Sequence, residues 1–232
     1  MIDGLSNVIE QCYKELGNEK WNYVFYCGKS AKKYWETKLE SYVELRPLDV
    51  DNFPSPNLYS DFFKQKQLWE DLEGKFILTL QCDVWIMNTQ PYNIEYFINM
   101  NKSFLGGNMG YDWLELTDRE QIHFEYKNFN GGLSLRKRID MIKVIETYPP
   151  LPTACNNISS INMQTDAEDV YFTIGCYRLG LPIGNDIESS YFSINSIFKE
   201  SFFGIHRPWD NIKEQLNNRY PHLKNSAQYL HL

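Results

Sequence analysis

The run Lys75-Phe76-Ile77-Leu78-Thr79-Leu80-Gln81 is almost entirely apolar. That is the pattern of a strand buried on both faces, and such strands belong to sheets covered by helices on each side. The rest of the chain supplies helices in alternation with short strands. Leu5, Val8, Ile9, Cys12 and Leu16 recur at a helical period. Trp21–Cys27 is aromatic and β-branched, ends at Gly28 and reads as a strand. A helix over Lys29–Leu39 is followed by a strand over Tyr42–Leu45 that Pro47 stops, and then by one helix over Leu58–Leu72. Further on, the pattern predicts helices at Tyr92–Met100, Lys137–Thr147 and Ala167–Leu179, strands at Ser103–Gly107, Leu133–Leu135 and Tyr191–Ile194, and a polar tail. Helices alternating with strands predict an α/β fold with a largely parallel central sheet flanked by helices. With no repeat and no low-complexity linker, one domain over residues 1–232 is the simplest organisation.

Composition narrows the class of protein. Hydrophobic residues make up 43% and aromatic residues 16% of the chain, too much for a disordered polymer. The net charge of −7 argues against general electrostatic capture of nucleic acid and leaves only the local basic run Arg136-Lys137-Arg138. That run is read as a ligand patch or as a solvated helix face. The five cysteines are scattered, with no C-x-x-C pair, as reduced thiols in the cytoplasm would be. No apolar run approaches the ~20 residues of a membrane span, and the first ten residues hold no apolar signal core.

Four segments carry candidate chemistry. Asp83 follows the Lys75–Gln81 strand, and in open α/β sheets ligands bind beyond the carboxyl ends of strands. An acid there serves as a metal ligand or as a simple turn residue. Asn130-Gly131-Gly132 stands before the Leu133–Leu135 strand, so the backbone is set to approach something closely, either a ligand or another part of the chain. Glu168-Asp169 opens a helix, where acids are favoured by the helix dipole and where a carboxylate can also serve as a general base. His206 sits between Gly204-Ile205 and Arg207-Pro208-Trp209, as a packed histidine or a metal ligand. Tyr111, Trp113 and Trp209 are aromatics able to stack on a ligand or simply to fill the core, and His123 has no supporting context.

In this order the four segments resemble glycosyltransferase-like families of the GT-A fold. Those families carry a strand ending in an F-Q-x-D-S-like sequence, then N-G-G-F-S-L-R, then E-D-x-x-F, then G-x-H-K-P-W. The matching residues are Leu80-Gln81-Cys82-Asp83-Val84, Asn130–Arg136, Glu168–Phe172 and Gly204–Trp209. The resemblance implies transfer of a sugar from a nucleotide-sugar donor, such as a UDP-sugar, to a glycan or other hydroxyl acceptor, with inversion. It implies a divalent cation, Mn2+ or Mg2+, held by Asp83 and His206. It places Asn130, Gly131, Gly132, Arg136 and Trp209 around the donor, and gives the base to Asp169 with Glu168 behind it. Position 85, where the D-x-D motif has its second acid, is Trp85, and the chain opens with a helix where the GT-A fold opens with a strand. The alternatives are a non-catalytic carbohydrate- or partner-binding relative of the same fold, and a hydrolase using Asp83 and Asp169 as paired carboxylates.

Overall fold

The computed structural model describes residues 2–17, 19–108, 130–154 and 163–223. Its first element, α1 (Ile2–Leu16), is docked by Gln11, whose side chain accepts from the Ile86 amide at 3.1 Å and donates to the same residue's carbonyl. After it, β1 (Tyr23–Gly28) pairs in parallel with β2 (Val43–Leu48) across α2 (Lys32–Glu36). Pro47 does not stop β2. It lies in the register opposite Cys27, and β2 is an edge strand, where a missing N–H is tolerated.

The expected helix over Leu58–Leu72 is two helices, α3 (Pro56–Phe63) and α4 (Lys66–Asp71). The break serves Lys64, which is buried and donates Nζ to the carbonyls of Leu151 (3.2 Å), Gln164 (3.4 Å) and Asp166 (3.1 Å). The Trp69 indole N–H caps the broken end by donating to Phe63 O at 2.8 Å.

The central sheet is antiparallel where a parallel one was expected. In it β6 (Asn130–Lys137) lies between β3 (Phe76–Leu80) and β5 (Phe104–Gly107), antiparallel to both. A second small sheet joins β4 (Val84–Ile86), β8 (Gly204–His206) and β7 (Ser193–Ile194), with β4 antiparallel to β8 and β7 parallel to it. The architecture is therefore mixed α/β. The apolar run of β3 misled because the strand is only half-buried: one edge holds β6, and the other edge faces an aromatic-walled cleft.

The remaining helices are α5 (Ile94–Asn99), α6 (Arg138–Thr147), α7 (Glu168–Arg178), α8 (Asp186–Phe192) and α9 (Asp210–Arg219). Tyr191 and Phe192 end α8 rather than belonging to a strand, and α9 falls in what reads as polar tail. Nearly all of α7 is buried, from Glu168 to Cys176, as befits a helix apolar on every side. It packs with Trp69, Phe104, Met141 and Val144 in one core, while Val84, Phe97, Leu133 and Phe203 centre another. None of the described helices is long and apolar enough to cross a membrane.

Candidate functional site

The two glycines lie inside β6, and what they approach is protein. A Cβ on Gly131 would collide with Glu168 Oε1 and stand 2.8 Å from Arg136 Nη2. A Cβ on Gly132 would collide with the His206 ring and stand 2.7 Å from Gln81 Oε1. One bare dipeptide thus lets the acid pair and the histidine close on the same stretch of strand. Asn130 is buried and turns its Oδ1 onto the Gly132 amide at 2.9 Å, so it shapes the strand entrance.

Around Gly131 the network is built on Arg136. This side chain is fully buried, which corrects its reading as part of a solvated face. Its Nη1 donates to Glu168 Oε2 at 2.5 Å and its Nε to Ser134 Oγ at 2.8 Å, while Ser134 Oγ donates to Gly131 O at 2.9 Å. The rings of Phe63, Trp69, Phe104 and Phe172 surround the guanidinium. Lys137 lies 3.6 Å from Asp140, and Arg138 donates to the carbonyls of Gly74 and Trp69, so the basic run forms no open patch.

Asp169 stands beside this pair without sharing its guanidinium. Its Oδ2 accepts from the Gly131 amide at 3.1 Å and its Oδ1 from the Val170 amide at 2.9 Å. Burial pushes its carboxyl up to about 7, helped by the charge of Glu168 and opposed by Arg136 and the two amides.

Beyond Gly132 the ends of β3 and β8 meet. Pairing of Val84 with His206 brings Asp83 against both His206 and Arg207. Arg207 Nε donates to Asp83 Oδ2 at 2.5 Å, and His206 Nε2 lies 3.2 Å from Asp83 Oδ1 and 3.1 Å from Gln81 Oε1. Burial would raise the Asp83 carboxyl, but His206 and Arg207 outweigh it and hold the group well below the usual carboxylate range. The amide of Gln81 continues to the Tyr59 hydroxyl at 2.9 Å. The Asn195 side chain donates to His206 O at 2.9 Å and Arg207 O at 2.8 Å, clamping Arg207 in a left-handed conformation, φ 43°.

A cleft of about 1120 Å3 opens between the edges of β1 and β3 that pair with no strand among the described residues. Gln81, Asp83 and Arg207 stand on its lining with Phe53, Tyr59 and Phe62. Among the expected site residues only Asp83 lines it. Tyr59 connects the two halves: it faces the cleft, bonds Gln81, and has its hydroxyl raised first by burial and then by the charges of Glu168 and Asp169. Trp209 immediately precedes α9, two residues past Arg207, with 38% of its surface exposed and its amide on Asn195 O. Tyr111, Trp113 and His123 lie outside the described residues.

Among the described residues the donor set does not suit the expected divalent cation. The His206 Nε2 is already engaged between two oxygens, Gln81 Oε1 and Asp83 Oδ1, while its buried Nδ1 makes no hydrogen bond among the described residues. Asp83 Oδ1 makes no hydrogen bond of good geometry, but Oδ2 already holds a guanidinium. Among the described residues no three His, Cys, Asp or Glu side chains converge.

Sequence reasoning passed over Tyr59, Asn195 and Arg207. Arg207 stood inside a quoted motif, while Tyr59 and Asn195 carry no local signal. None of the curated proteins matches this chain. Residues 42–207, from the start of β2 to the arginine on Asp83, match a family described as a protein of unknown function, DUF5672, and the chain belongs to that family.

Proposed function

We propose that the protein transfers a sugar from a nucleoside-diphosphate donor to a hydroxyl acceptor, with inversion, and that Asp169 is the base. The observation that carries this reading is the state of Asp169. It is a partly buried carboxylate oriented by two backbone amides, beside but outside the Arg136–Glu168 ion pair, with its proton affinity raised to about 7. A base poised near the working pH combines a populated ionised form with real proton affinity. Glu168, by contrast, is committed to Arg136.

The acceptor hydroxyl gives its proton to Asp169 as its oxygen attacks the anomeric carbon. The bond from that carbon to the diphosphate oxygen breaks, and the nucleoside diphosphate leaves with the electron pair. One carboxylate suffices for a single displacement. The cleft supplies aromatic walls at Phe53, Tyr59 and Phe62 on which a nucleoside base can stack, and its Gln81–Asp83–Arg207 end is polar.

The test is Asp169→Asn, which keeps the shape and loses the proton acceptor. Transfer, followed as nucleoside-diphosphate release with acceptor present, should fall at least ~100-fold while donor affinity changes little. Turnover equal to that of the unmodified protein removes Asp169 from the role of base.

A further inference from the structure

We propose that Arg207 binds the donor's diphosphate directly, in place of a metal ion, with Asp83 and Asn195 as the residues that position it. This rests on the glycosyltransferase reading and specifies how its leaving group is held.

The geometry of Arg207 is that of an oriented fork. Its Nε is spent on Asp83 Oδ2, and Nη1 and Nη2 make no hydrogen bond among the described residues. The side chain is 70% exposed and lines the cleft, whereas the Asp83 carboxylate behind it is only 17% exposed. The negative charge is therefore sheltered and the positive one presented. A guanidinium fork matches the geometry of phosphate oxygens, two N–H groups to two oxygens.

The backbone supports this presentation. Arg207 adopts positive φ, a conformation that is unfavourable for a non-glycine residue. The Asn195 side chain holds it there through both adjacent carbonyls, and Asn195 is itself buried. Strain kept in place by a dedicated buried side chain marks a residue whose direction matters.

The same arrangement explains the tryptophan at position 85. A metal-binding D-x-D motif needs two acids to hold an ion. A site that uses one acid to aim an arginine needs only Asp83, and Trp85 pairs with Ile205 and packs against the core cluster beside β8.

The experiment is calorimetric titration of UDP, GDP, CDP and ADP into the full chain, in EDTA and in excess Mn2+. The tightest ligand is then carried into Arg207→Gln and Arg207→Lys, and saturation-transfer NMR with the matching nucleoside reports whether the base pocket stays formed. The unmodified protein should bind the diphosphate in EDTA, with Mn2+ changing Kd less than about twofold. Arg207→Gln should weaken diphosphate binding about tenfold or more, the scale of a charge-assisted contact, while leaving the nucleoside signal intact. Arg207→Lys keeps the charge but loses the fork, so it should recover only part of the loss. Binding that requires Mn2+, or diphosphate binding by Arg207→Gln equal to that of the unmodified protein, overturns the proposal and leaves the transferase reading standing. Failure of the unmodified protein to bind any of the four diphosphates in either condition overturns both.

Discussion

Arg136 keeps its charge with no surface open to water, and Glu168, equally buried, is the partner that makes this tolerable. A buried ion pair is weak evidence for net stability, but removing one member strands the other charge in an apolar site. Arg136→Met should therefore destabilise the fold by about 3–5 kcal/mol, and pairing it with Glu168→Gln should recover a large part of that. Urea unfolding of the two variants checks this; a single mutant as stable as the double would mean that no stranded charge exists. The sequence marked Arg136 as one of three adjacent cations, and runs of charge are normally solvated. What it did not carry is that four aromatic residues from other segments converge on this one guanidinium. Asp169 was legible for a better reason: an acid pair opening an apolar helix is a local pattern, and its placement beside Gly131 follows from one strand–helix contact.

At the level of elements, β6 is the organiser, because its glycines admit α7 on one side and the end of β8 on the other. The close approach was legible in the glycine pair. Its target was not, since His206 and Glu168 come from distant parts of the chain. Gly132→Ala places a methyl group into the His206 ring, with Gln81 Oε1 crowding it as well. The ring must move, taking with it the alignment of Arg207 on Asp83. Nucleoside-diphosphate affinity should fall about tenfold or more through that displacement, while Asp169, held by the neighbouring Gly131 amide, keeps its raised pKa. Titration of Asp169 by carboxyl NMR in Gly132→Ala, beside a binding isotherm, separates the two effects. The elements that sequence misplaced share a cause. In α9 only Ile212 and Leu216, four residues apart, are buried, too narrow a stripe to stand out among polar neighbours. The α3–α4 break exists for one buried lysine, and nothing local announces that Lys64 turns inward to three carbonyls.

For the molecule as a whole, the raised carboxyl of Asp169 pulls stability and activity in opposite directions as pH changes. Asp169 and Asp166 both have carboxyls pushed by burial up to about 7, the first also by Glu168, against an ordinary value of 3.8. A carboxyl whose affinity for protons is higher in the folded chain stabilises it fully only below its unfolded value, and that contribution is lost as pH rises through its folded value. Asp83 has the opposite sign: its depressed carboxyl stabilises the fold above its unfolded value, and this is lost only in strong acid, below the working range. Between pH 5 and pH 8 the two raised aspartates therefore dominate, and stability should fall by about 1–3 kcal/mol, after allowing for the partial exposure of both groups. Asp169→Asn should flatten part of that slope and Asp166→Asn another part, as read from urea midpoints at the two pH values. Transfer activity should move the other way, with kcat/KM rising through a midpoint near 7 as Asp169 becomes ionised. A stability curve that is level from pH 5 to 8, together with a rate that has already reached its plateau at pH 5, would show that Asp169 is an ordinary surface-like carboxylate and would remove the physical basis for its role as base.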